Sequence, residues 1–228
     1  MSNPPATPAA PGSPLNRPTS VEDDDRHLKL LGEGVPLLQA KRPEEAIKRV
    51  FDPVIAFYES HWRNSEIEPY CTRWQVESLL YLMMAATAKP PKSAIVLKLA
   101  WSDAHYLRAY ALIEMGKFPE AAQALAKALE LAPQNAHYLN ELGNLQSRVK
   151  PWDKALQTFK TASEAANSCS PPGLKNAELG RSWRGLGYAY VELKRFGEAK
   201  AIYRECLKLN PADRQAAAEL KFVEGIGV

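Results

Sequence analysis

Residues 102–135 read SDAHYLRAYALIEMGKFPEAAQALAKALELAPQN, and this stretch decides the fold. Apolar residues recur every three to four positions on both sides of Gly116-Lys117, the spacing of two amphipathic helices. The first is predicted to end near Met115, and the second to run from about Pro119 to Leu131 before Pro133 stops it. Ala109, Ala121 and Ala128 are small where two helices must approach closely. A lone helical hairpin cannot bury its apolar face, so the pattern should recur.

It does. About 34 residues on, Ala121 becomes Ala155, Ala128 becomes Ala162, Phe118 becomes Trp152, Ala109 becomes Gly143 and Gly116 becomes Lys150. A third copy follows after ten further residues, with Gly187, Phe196 and Ala199 at the same places. In residues 180–213 the landmarks are Trp183, Leu186-Gly187, Tyr190, Phe196, Ala199, Tyr203 and Pro211. This arrangement resembles the tetratricopeptide (TPR) repeat, whose period is about 34 residues. The resemblance implies an all-α, right-handed solenoid of helical hairpins with repeats at 102–135, 136–169 and 180–213. Repeat two departs from the pattern at Gln146 and Asn167, and repeat one at Arg108. Each hairpin leaves an apolar face for its neighbour to cover.

The flanks extend the plan. Residues 27–101 read as a helical region of degenerate repeat-like pairs. Gly34 and Ala46 take the small positions of the first pair, with helices over about 27–40 and 43–60. Pro43 suits a first helical turn, whereas Pro53 should kink the second helix. A helix is predicted over residues 65–88, with Trp74 and Ser78 at the fourth and eighth positions of another degraded repeat. Residues 92–101 read as a further short helix, or as the start of one helix over 93–115. Residues 168–174, SCSPPGL, read as a loop, and the ten-residue excess here either extends the helices or projects as a loop. Residues 214–228 form a capping helix, stopped at Gly225, and a tail.

Residues 1–26 are rich in Pro, Ala and Ser and have little to bury, which predicts a disordered tail whose acidic run, Glu22 to Asp25, is a solvated helix start or linker flank. They hold no signal-peptide core, and no apolar run approaches the roughly 20 residues of a membrane helix. Three widely spaced cysteines, Cys71, Cys169 and Cys206, make neither a disulfide framework nor a metal pattern, which points to a reducing, cytoplasmic setting. The net charge of +3 does not point to nucleic acid.

Chemistry is sparse. None of the four histidines has metal-ligand spacing, although His105 and His137 sit in adjacent repeats. No phosphate loop, dinucleotide fingerprint or nucleophile elbow is present, so no cofactor and no enzymatic activity are expected. The TPR resemblance instead implies a concave groove lined by the first helix of each hairpin. Carried onto this chain, it nominates Tyr106, Tyr110, Asn140, Asn144, Arg148, Arg181, Arg184 and Tyr188 as partner-binding residues. Asparagines can bond an extended backbone and arginines a carboxylate, which favours a protein or peptide partner, acidic or mixed in charge. The chaperone-binding TPR domains clamp a C-terminal carboxylate with Lys and Asn at set places. Asn144 and Arg181 fit single places, but Tyr106, Tyr110, Glu141 and Gly185 break the set, which disfavours that role. The expected function is a non-enzymatic scaffold or adaptor. A dedicated chaperone or inhibitor of one client, such as a secreted effector or toxin, is the runner-up, ahead of an RNA-associated or catalytic platform.

Overall fold

The computed structural model describes residues 20–226 and shows an all-α solenoid with one small inserted sheet. Residues 1–19 and 227–228, which hold most of the predicted tails, lie outside the described residues.

The first helix, α1 (Val21–Gln39), starts six residues before the boundary read from composition. Ser20 caps it: its hydroxyl accepts from the Asp23 amide at 3.1 Å, and the Asp23 carboxylate accepts from the Ser20 amide at 3.0 Å. Nor is the acidic run wholly solvated. Asp24 is buried, accepting from the Tyr58 hydroxyl and from the Lys98 amide at 2.9 Å. The partner rod is α2 (Pro43–Ala46), a π turn (Ile47–Phe51) and α3 (Asp52–Trp62). The kink expected at Pro53 is absorbed by that π turn, in which the Asp52 amide reaches back to the Ile47 carbonyl. Widening the helix there relieves the proline ring's conflict with the preceding turn. A Cβ on Gly34 would lie 2.5 Å from the Phe51 ring, so this pair needs its small residue.

The next segment departs from expectation. Residues 65–88 and 92–101 form neither the predicted helix pair nor the front of one long helix. They build a βαβ unit: β1 (Glu68–Cys71), α4 (Gln75–Thr87) and β2 (Ala94–Leu97), with the strands parallel and Tyr70 opposite Val96. The runs Pro69-Tyr70-Cys71 and Ile95-Val96-Leu97 favour a pleated surface, and Pro69 is tolerated because both strands of a two-stranded sheet are edges. Trp74 is the residue just before α4 and Ser78 lies in its first turn, so neither marks a repeat.

From there the repeats run as α5 (Ala100–Glu114), α6 (Phe118–Leu131), α7 (Ala136–Val149), α8 (Trp152–Cys169), α9 (Pro172–Glu192) and α10 (Phe196–Leu209). The closing helix is α11 (Arg214–Gly225), capped by Asp213, which accepts from the Ala216 amide at 3.0 Å. Consecutive helices of the array pack on one another. Ala109, Ala121, Ala128, Ala155, Ala162 and Ala199 are completely buried. The Phe159 ring is held between Gly143 and Gly185, where a Cβ on either would collide with it. Each hairpin turns through a left-handed residue at one repeat position: Lys41, Gly116, Lys150 and Lys194. Lys41 thereby marks residues 21–62 as a hairpin of the same design. The ten-residue excess is no projecting loop. It lengthens α8 and α9, leaving only Ser170 and Pro171 between them, because Pro172 and Gly173 are admissible in a first helical turn.

The βαβ unit is braced against the array. The Trp74 indole donates to the Cys169 carbonyl at 2.6 Å, and the Tyr81 hydroxyl accepts from the Gln134 amide at 3.0 Å. The Arg73 guanidinium donates to Glu77 at 2.8 Å and to Glu178 of α9 at 2.5 Å, all three side chains being buried.

Candidate functional site: the inner groove

The inner face of α5, α7 and α9 encloses a groove of 670 Å³, with Gln215 of α11 at its end. Six of the eight nominated residues line it: Tyr110, Asn144, Arg148, Arg181, Arg184 and Tyr188. Helical spacing puts Asn144 and Arg148 one turn apart on α7, and Arg181, Arg184 and Tyr188 along α9. Gly185 and Phe159 form part of the floor.

The two others lie elsewhere. Asn140 is fully buried and donates to the Glu178 carbonyl at 3.2 Å, which ties α7 to α9. Tyr106 packs its ring against Tyr138 at 5.4 Å and against His137 at 4.9 Å. Burial raises its hydroxyl pKa to about 12. Both residues therefore hold helices together, and their position within a repeat could not announce it.

The arginines divide by chemistry. Arg181 is paired with Glu141 and Arg184 with Asp213, the cap of α11. Arg148 is exposed and has no ion pair among the described residues, and the Asn144 side chain makes no hydrogen bond among them. Tyr110 and Tyr188 are 43% and 44% exposed, so large aromatic faces stand free on either side. Tyr188 rests edge-on against Trp152 at 5.5 Å. Burial, then the nearby Glu192 carboxylate, raises its pKa. Glu114 at the rim is neutralised by Lys41 at 2.7 Å.

Toward the N-terminal ends of the same helices lies a second hollow of 410 Å³, lined by Arg73, Asp103, His137, Tyr138, Glu178 and Arg181 among others. The Tyr138 hydroxyl donates to Asp103 at 2.6 Å. Burial pushes the Asp103 carboxyl above its ordinary range and holds His137 below its own. Arg73 and Glu178 escaped the sequence reading because they lie far apart in the chain and belong to no motif. His105 lies apart from His137, in a cavity with Asp52, Glu59, Arg108 and Lys127. Among the described residues no three His, Cys, Asp or Glu side chains are placed to hold a metal ion.

Family models of the tetratricopeptide repeat match residues 102–135 and residues 180–213, the stretches that build α5–α6 and the second half of α9 with α10. Both stretches are tetratricopeptide repeats. Solved structures agree on the fold. PilF of Pseudomonas aeruginosa superposes with a TM-score of 0.61 at 19% identity, over 89% of this chain and 69% of its own. MamA of Desulfovibrio magneticus RS-1 does so with a TM-score of 0.56 at 16% identity, over 89% and 85%. The N-terminal domain of stress-induced protein-1 from C. elegans gives 0.50 at 17% identity, over 55% and 96%. No curated protein sequence matches this chain. No helix among its described residues is long and apolar enough to cross a membrane.

Proposed function

We propose that the protein is a non-enzymatic scaffold that takes a segment of another protein, in extended form, into the inner groove. One observation carries this reading: Asn144 and Arg148 stand uncommitted on α7 between the open faces of Tyr110 and Tyr188. Asn144 can both donate to and accept from a peptide backbone. Arg148 can form a charge-assisted bond with a carboxylate, and the tyrosines offer rigid area at small entropic cost. Arg181 and Arg184 shape the groove rather than supply its free charge. The segment best suited to it carries an acidic residue beside an apolar or aromatic one. A covalent role has no support in the cysteines, because burial raises the thiol pKa to about 12 at Cys71 and to about 11 at Cys206, away from the reactive thiolate.

The test is affinity purification from the native host with the full chain and with Asn144→Ala/Arg148→Glu. Selective loss of one partner, with unchanged helical circular dichroism, is the expected result. Retention of every partner by the variant would move the binding surface away from this groove.

A further inference from the structure

Helix α4 is apolar on both sides, and only one side is covered. Glu77, Tyr81 and Ala85, spaced four apart, face inward and are buried. The opposite face carries Val76, Leu79, Leu82 and Met83, which are 41%, 61%, 38% and 55% exposed, and Met84, 39% exposed, lies at the flank. A helix that is apolar all round normally lies inside a larger structure. Roughly 400 Å² of apolar surface is left in water here, within the range of the largest patch on a monomer, which is often functional.

We infer that this face of α4 is the contact between two copies of the chain. Val76, Leu79, Met83 and Ala86 follow the three-four-three spacing of a helix-helix seam. The positions beside that seam, Gln75, Leu80, Leu82 and Thr87, bear no charge. Seams that select a different partner place charges there, and the one acidic residue of α4, Glu77, is buried against Arg73. An uncharged, self-matching strip meets a copy of itself without repulsion, as a two-fold interface requires. Antiparallel packing of two α4 helices also opposes their dipoles favourably. The strip is about half of the roughly 800 Å² per partner of a standard stable interface, so the dimer is weak and depends on concentration. The surface is separate from the inner groove, and the inference does not rest on the role proposed for that groove.

Sedimentation velocity of the full chain across the micromolar range tests it. The expected result is a shift from monomer to dimer with concentration. Because each substitution acts twice in a two-fold contact, Leu79→Glu/Met83→Glu should raise the dissociation constant at least roughly 100-fold. Asn144→Ala/Arg148→Glu, in the groove, should leave it unchanged. Circular dichroism checks folding, and Leu79→Gln/Met83→Gln repeats the test should the charged variant unfold. A monomer at every concentration, or a dimer indifferent to these substitutions, would overturn the inference. So would a monomer that floats with phosphatidylcholine vesicles only when α4 is intact, since that would assign the face to a membrane surface.

Discussion

Replacing His105 with asparagine should flatten the response of stability to acid. The imidazole is 6% exposed and makes no hydrogen bond among the described residues. Burial, and then the positive charges of Arg108 on its own helix and Lys127 on α6, lower its pKa from 6.5 to about 4. Asp52 and Glu59 line the same cavity from α3, but Asp52 is already engaged by Arg108 at 2.8 Å. With the folded pKa depressed, the unfolded chain takes up the proton first as pH falls. The stabilisation is complete above the unfolded value of 6.5 and is lost progressively down to about 4. Across that window the loss is roughly 3 kcal/mol, of which about 2 kcal/mol falls between about pH 7.5 and about pH 5. His27 and His137 are shifted in the same direction by burial, and Asp103 has the opposite sign, so the total for the natural chain is not the readout. Urea unfolding of the natural chain and His105→Asn at both pH values isolates the difference. An equal loss in the two proteins would show that His105 titrates normally, and the argument from burial would fail.

Four further outcomes are expected. Gly143→Ala places a Cβ 2.6 Å from the Phe159 ring and should cost about 1–3 kcal/mol in thermal unfolding, with part of it recovered by Phe159→Leu in the double variant. Arg73→Met strands the buried carboxylates of Glu77 and Glu178 and should cost about 3–5 kcal/mol; a loss below about 1 kcal/mol in denaturant titration would mean that water reaches them. Lys194→Gly relieves a left-handed residue at φ 58° and should raise stability by about 0.5–1 kcal/mol, measured as a higher urea midpoint. A chain starting at residue 27 loses the Ser20 cap and the Asp24 acceptor of Tyr58 and Lys98; it should be at least about 2 kcal/mol less stable than one starting at residue 20.

Legibility followed the reach of the forces involved. The repeats were readable because a helical hairpin announces itself within its own period. Gly143, Ala155, Ala162 and Gly187 report the distance between two adjacent helices. The turn residues Lys41, Lys150 and Lys194 align with Gly116, although only one of the four is glycine. The βαβ unit is not legible in the sequence because short runs such as Tyr70-Cys71 and Ile95-Val96 do not distinguish strand from buried helix. Their pairing also joins positions far apart in the chain. The early start of α1 was hidden by composition, since the charged run that lowers its apolar content also supplies the capping Asp23 and the buried Asp24. Repeat position places six of the eight nominated residues along the groove and two, Tyr106 and Asn140, between helices instead. It carries no information about what each then meets: Asn140 is buried, Arg181 and Arg184 are paired with carboxylates, and Arg148 has no ion pair among the described residues.

The brace from Arg73 to Glu178 spans 105 residues of chain, whereas the contacts of the array are mostly between neighbouring hairpins. Hairpin-on-hairpin contacts are local and form fast, while contacts of wide sequence separation form late. The solenoid should therefore assemble first and the βαβ unit dock upon it last. Docking links repeats that would otherwise fray one at a time from the ends. In hydrogen exchange, α7 through α9 should open together with β1 and β2 as one cooperative block, while α10 and α11 exchange earlier.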